Sequence, residues 1–461
     1  MRLDTAGTGC RQARNARPPR QLRSLALIAV FLLAACGGSE TEQQNLTNSA
    51  GLSARKEPLS NLLRGGVAFA AVSADESRAA EMGRDVLRGG GNATDAAVAM
   101  YFAMAVTLPS AASLGASGAC VVHDAKTRAG EVFAFPPIAA PGPINGVPIT
   151  VPMGVRAVTL MHIRHGQARW EFDLAGAERM AHAGVPVSTA LSRDLQAGAT
   201  LLGADREARR IFGRGTGTAV TVGDTWTQTD LGATLAAIRQ KGGVDFFQGA
   251  VARLMSEQVA QMGGSMPLES LRNAIPVTGP PAGESYGGFK VYVAPAPLGG
   301  ANALAGWHGQ KSPSAEVPTN SNGFAGLAAI DEKGSAAACA LSMGQLFGSR
   351  MIIPGTGVLL GVATPDAAAV SPLVIGNPGN AEVRFAGAGG GSPYASFATG
   401  LIARATVERK VPVQTALDAN GGRGGYVNAI ACPDGIRGGA ITCQSGIDKA
   451  GAGLALLAIN R

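Results

Sequence analysis

The chain has 461 residues, 46% of them hydrophobic and 15% charged, with 65 glycines and 26 prolines; that is too apolar for a disordered protein and lacks the period of collagen or a coiled coil. The formal charge of +7 is concentrated at the start, where Arg2, Arg11, Arg14, Arg17, Arg20 and Arg23 face one acid, Asp4. Residues 36–461 have no basic cluster and aromatics are 5% of the chain, so neither a basic nucleic-acid face nor a stacking platform for single strands is expected.

An apolar run, Leu25 to Leu33, follows these arginines and ends in Leu33-Ala34-Ala35-Cys36. This order is that of an export signal, and the run is too short to span a bilayer as a stable helix. The small residues before Cys36 resemble the lipobox of bacterial lipoproteins, in which the Cys thiol is diacylated and becomes the new N-terminus. Residues 1–35 are therefore expected to leave as a signal peptide. Several acyl chains on Cys36 would give a lasting membrane anchor, and residues 36–60, which open Gly37-Gly38-Ser39-Glu40, would form a flexible tether. Gly37 replaces the Asp associated with inner-membrane retention, so the expected location is the cell envelope, at the outer membrane facing the periplasm.

Residues 61–461 read as one layered α/β (α+β) domain. Ser77 to Leu87 is predicted as an amphipathic helix stopped by Gly89-Gly90-Gly91. Asn92 caps a second helix, Ala96 to Val106, which is apolar all round and must be buried. Strands are predicted over Ala119–His123 and Glu131–Phe135, with a turn at Asp124-Ala125-Lys126. Helical patterns fill about 153–275. Strands return at Lys290–Val293, Gly326–Ile330, Ser335–Leu341, Gly357–Leu360 and Glu382–Phe385, followed by helix over about 393–418 and a last strand near Gly453–Leu457.

The periplasm is oxidising, which decides how the cysteines are read. Cys432 and Cys443 flank a hairpin-like stretch with turn residues in its middle and are expected to form a disulfide. Cys120 and Cys339 lie on predicted strands, either paired or as two separate buried thiols. The Cys and His spacings give no zinc pattern. His162 and His165 read as a solvated helix face, so no metal and no cofactor is expected.

Leu87-Arg-Gly-Gly-Gly-Asn92-Ala-Thr-Asp95-Ala-Ala-Val98 closely resembles the signature of the gamma-glutamyltransferase (glutathione hydrolase) family. Matching blocks follow in family order: His165-Gly166, Ala183-Gly184-Val-Pro186, Gln228-Thr-Asp230-Leu231, Phe246-Phe247, Tyr286 to Pro295 and Pro354 to Leu360. The resemblance implies the four-layer αββα sandwich of N-terminal-nucleophile hydrolases. It also implies self-cleavage that frees a Thr to attack γ-glutamyl amides. Such chemistry needs a hydroxyl with its own α-amine as base, two N–H groups for the oxyanion and an Arg for the substrate carboxylate.

Several of those positions are altered. The family's nucleophile segment begins Thr-Thr-His and leads through a strand to an Asp-containing turn. Counting back from Asp331-Glu-Lys-Gly334 places Phe324-Ala325-Gly326 there. Pro136-Pro137 replace Arg-Glu, Gly344 stands where a substrate-binding Asn is expected, and Ala368-Ala369-Val370 precede Ser371-Pro372 where Ser-Ser-Met is usual. Gly390-Gly391 match the oxyanion glycines, although a close turn between strand and helix would also call for glycine there. The expectation is thus a family scaffold without self-cleavage or transfer, anchored at Cys36 and acting as a binding or structural partner, with a protein partner and no nucleic acid. The alternative is a divergent hydrolase whose nucleophile is displaced to Thr319, or to Ser321 behind it. The plainer reading puts both in a polar surface loop beside Pro318 and Asn322-Gly323.

Overall fold

The computed structural model describes residues 69–458, apart from 204, 215–217, 314–322, 364–368, 422–423 and 438–441. The expected signal, Cys36 and the tether lie outside that range, as do Thr319 and Ser321.

Helix α1 (Ser77–Arg88) ends at Gly89, and α2 (Ala93–Thr107) starts from Asn92. The Asn92 side chain accepts from the Thr94 and Asp95 amides, while Asp95 accepts from the Asn92 amide, a reciprocal cap that satisfies the helix's first free donors. All of α2 is buried, as its unbroken apolar sequence demands. The helical middle of the chain includes α3 (Gly154–His165), α4 (Trp170–Ala183) and α5 (Thr189–Leu202). Later come α6 (Gly300–Trp307), α7 (Pro393–Val407) and α8 (Val413–Asn420). The pattern over 393–418 is thus two helices, interrupted before Pro412, which has no N–H to continue the first.

The early strands are β1 (Ala71–Ala74), β2 (Ser117–Asp124), β3 (Ala129–Phe135), β4 (Val185–Pro186), β5 (Thr225–Trp226), β6 (Val277–Gly279), β7 (Ala282–Tyr286) and β8 (Phe289–Val293). The later ones are β9 (Phe324–Ile330), β10 (Ala336–Ser342), β11 (Ile352–Ile353), β12 (Val358–Leu359), β13 (Val370–Gly376), β14 (Val383–Gly390), β15 (Tyr426–Ala431), β16 (Gln444–Ile447) and β17 (Leu454–Leu457). One sheet runs β17-β1-β9-β10-β2-β3-β6 and the other β16-β15-β14-β13-β8-β7. Both are antiparallel throughout. Between the sheets lie Phe69, Val121, Tyr292, Ala328, Val374 and Ile430 among others. The α2 side chains and the helical middle cover the first sheet, while α6, α7 and α8 cover the second. The result is the expected αββα order of layers.

Strand β13 has no counterpart in the predicted elements, because Pro372 interrupts it. The proline is tolerated because β8 pairs only with Leu373 to Gly376 and leaves residue 372 without a neighbour on that side. Cys120 and Cys339 face each other in the β2–β10 register and are disulfide-bonded, as are Cys432 and Cys443 at the ends of β15 and β16. The two bridges close loops of very different length, with separations of 219 and 11 residues. In the chain-entropy account they stabilise by about 5 and about 3 kcal/mol. Denaturant melts should therefore rank the Cys120→Ser/Cys339→Ser pair as costlier than Cys432→Ser/Cys443→Ser; the reverse order would show that reduced-state structure dominates.

Candidate active-site cleft

Strand β9 begins at Phe324, directly opposite Ser342 of β10. The chain enters it through Gly323, whose φ of +44° favours glycine. The Phe324 side chain is buried and turns toward the second sheet, where it lies on Gly390 at the end of β14. A Cβ at Gly390 would stand 2.1 Å from Phe324 Cε2. The ring therefore fills the place beside one of the two glycines expected to serve an oxyanion. The other, Gly391, already donates its amide to the Ala369 carbonyl at 2.9 Å. The space left at this point is about 10 Å³, lined by Asp75, Arg193, Asp194, Phe324, Tyr426 and small neighbours. That is room for a single water, not for an amino-acid substrate.

Asp75, just after β1, is hydrogen-bonded to the first residues of β9. Its Oδ2 accepts from the Gly326 amide at 2.7 Å, and Asn428 Nδ2 donates to the Gly326 carbonyl at 2.9 Å. Burial pushes the Asp75 carboxyl up to about 7, outweighing the hydrogen bonds from Gly326 and Asn428 that favour its ionised form. Arg193 is the cationic side chain lining the cleft among the described residues, and its charge is already engaged. Its Nε and Nη2 donate to Asp194 Oδ1 at 3.1 and 3.0 Å, and Asp194 Oδ2 accepts from Ser110 at 2.6 Å. Its guanidinium lies 5.4 Å from the centre of the Tyr426 ring.

Among the other positions expected to be altered, Pro136 and Pro137 directly follow β3, and Gly344 is held by its amide donating to Ser342 Oγ at 3.0 Å. Ser371 is buried in β13, and its hydroxyl finds no hydrogen-bond partner among the described residues. No residue of this group brings a guanidinium or a nucleophilic side chain to the start of β9.

His162 and His165 depart from the expected solvated face. His165 bridges two carboxylates, Nδ1 to Asp124 at 3.0 Å and Nε2 to Glu131 at 2.7 Å, and Arg164 also pairs with Glu131. Burial opposes the charge on His165, but the two carboxylates outweigh it and raise its pKa. His162 turns inward to Asp95 and Asp173. Burial first, and then the Asp95 charge, raise Asp173 to about 9. The physical reason is the meeting of the end of α3 with the start of α2: this packing largely buries the edge of α3 that carries both histidines, and acids from other elements receive them.

Residues 79–309 match the family model described as gamma-glutamyltranspeptidase. Scoloptoxin SSD14 of Scolopendra dehaani is 30% identical over 221 residues, which is 45% of this chain and 38% of that protein. The glutathione hydrolase proenzyme of Bacillus subtilis (strain 168) is 29% identical over 245 residues, 48% of this chain and 41% of the relative. The alignments thus span well under half the length of these curated relatives. The crystal structure of cephalosporin acylase from Bacillus halodurans superposes with a TM-score of 0.69 at 18% identity, covering 85% of this chain and 96% of that one. The fold is that of the N-terminal-nucleophile hydrolases. Within it, the chain belongs to the gamma-glutamyltranspeptidase family.

Proposed function

We propose that this chain is a gamma-glutamyltranspeptidase-family lipoprotein that neither cleaves itself nor transfers a γ-glutamyl group. It serves instead as a binding or structural partner in the periplasm, held at the outer membrane by acylated Cys36. The observation that carries the reading is the Phe324 ring seated on Gly390 at the head of β9. Self-cleavage needs a side-chain oxygen or sulfur to attack the preceding carbonyl, and a phenyl ring offers neither. Without the cut no free α-amine is produced, so the usual base is missing as well. Among the described residues a γ-glutamyl α-carboxylate would meet no spare cation here, since Arg193 is committed to Asp194, and burying it unpaired is costly. The anchor rests on the Leu33-Ala34-Ala35-Cys36 pattern.

Intact mass of the detergent-extracted protein tests both parts at once. The expected species is one uncut polypeptide that begins at Cys36 and carries acyl mass, with no release of p-nitroaniline from γ-glutamyl-p-nitroanilide above background. Two fragments, with the smaller starting at Thr319 or Ser321, would overturn the inactive reading in favour of a displaced nucleophile. An unacylated N-terminus would remove the anchor and leave the inactivity standing.

A further inference from the structure

Three helix ends meet at one point away from the cleft. Asp95 lies in the first turn of α2, His162 in the last turn of α3 and Asp173 in the first turn of α4, and their donor atoms form one compact group. Leu108, which lines the cleft, follows the opposite end of α2, so the two places are separated by the length of that helix, roughly 20 Å.

The three side-chain donor atoms lie within 4.8 Å of one another, and the distances from His162 Nε2 are close to those of a coordination shell. His162 Nε2 is 3.6 Å from Asp95 Oδ1, 3.4 Å from Asp173 Oδ2 and 3.1 Å from the Ala168 carbonyl oxygen. An ion bonded tetrahedrally at about 2.0–2.1 Å holds neighbouring donors about 3.3 Å apart. The two carboxylates are fully buried and differ in one respect. Asp95 accepts from the amides of Asn92, Gln167 and Ala168. Neither oxygen of Asp173 has a hydrogen-bond partner among the described residues. Buried carboxylates are ordinarily paired, hydrogen-bonded or bound to a metal. Gly166 keeps the space open, because a Cβ there would stand 2.7 Å from His162 Cδ2 and 2.8 Å from Asp95 Oδ1.

We infer that Asp95, His162 and Asp173, with the Ala168 carbonyl as fourth donor, form a binding site for one divalent transition-metal ion, Zn²⁺ being the best match in donor type and number. Two carboxylates balance its charge, and the imidazole binds through Nε2 with its proton on Nδ1. Four protein donors leave no open position for chemistry, so the ion is structural. It ties the starts of α2 and α4 to the end of α3, and the inference does not depend on whether the cleft is active.

The mature protein, stripped with a chelator and dialysed, is titrated calorimetrically with Zn²⁺ and optically with Co²⁺. Expected are one equivalent bound, a higher melting temperature, and a tetrahedral Co²⁺ absorption without a thiolate charge-transfer band. Asp173→Asn and His162→Gln should each weaken binding by roughly 100-fold, the upper end of what even an outer-shell change costs. His308→Gln, on the exposed His308–Glu284 pair, should leave it unchanged. Folded wild-type protein that takes up no stoichiometric ion overturns the inference, as does uptake that survives both ligand variants. Should the variants fail to fold, anomalous diffraction at the zinc edge from wild-type crystals decides. A peak among the three side chains supports the site; a peak elsewhere, or none, refutes it.

Discussion

Gly390→Ala is expected to destabilise the protein by about 3 kcal/mol, the upper part of the usual overpacking range. The new methyl would stand 2.1 and 2.3 Å from Cε2 and Cδ2 of Phe324 and 2.7 Å from the Ala369 carbonyl. Phe324→Ala alone should also be costly, about 3–5 kcal/mol, because it empties a buried ring site between the sheets. In the double variant the two losses should not add. Removing the ring relieves most of the clash, and the added methyl fills part of the hole, so a favourable coupling of about 1–3 kcal/mol is expected for residues in direct contact. Urea denaturation of the four proteins measures it. Strict additivity would mean that the ring does not lie on Gly390, and the filled cleft behind the proposed inactivity would fall with it.

The second large effect is in the pH dependence of stability, where two buried groups oppose each other. His123 sits between the sheets, its ring stacked 6.1 Å from Tyr292, with neither nitrogen hydrogen-bonded among the described residues. Burial lowers its pKa to about 4, against a smaller upward pull from Asp124. The folded state therefore favours neutral His123; the stability it confers is complete above pH 6.5 and is lost as the pH falls toward 4, by about 3 kcal/mol. Asp75, raised from 3.8 to about 7, behaves in the opposite way. Its contribution is complete below pH 3.8 and is lost as the pH rises through 7, by about 4 kcal/mol. Between pH 4 and 6.5 the two slopes cancel. Relative to wild type, Asp75→Asn should become steadily more stable as the pH rises from 4 to 7. His123→Phe should gain as the pH falls from 6.5 to 4. Difference curves from melts at fixed ionic strength check both; two flat differences would mean that neither group keeps its shifted pKa.

Local signals were enough for much of the architecture. Asn92 announces the cap of α2, to which the structure adds Asp95, and the apolar ring around that helix announces its burial. Phe324 could be placed by counting from the Asp331 turn, since strand length and turn chemistry are local. What could not be read depends on distant partners. β1 is four residues long, too short for a pattern, and becomes a strand only between β9 and β17. Asp173 looks like an ordinary first-turn acid; its relation to Asp95 and His162 arises when three helices converge. The two histidines share a helix edge at i,i+3 spacing, but nothing in that spacing says whether water or carboxylates face it.

The order of strands in the first sheet also bears on how the protein can be made. Both neighbours of β1 belong to the latter part of the chain, β9 and β17, while β2 takes β10 as one neighbour and is bonded to it through Cys120–Cys339. The segment that matches the family model, residues 79–309, contains none of these partners. Expressed alone it would present β2 with a bare edge and an unpaired thiol, and its buried helix α2 with no β9 or β10 beneath it, features that promote aggregation. During synthesis the N-terminal strand must likewise wait, unpaired, until residues beyond 324 arrive, a long-range closure of the kind that folds slowly. The matched segment is thus not a folding unit by itself, and any dissection of this protein has to keep residues 69–458 together.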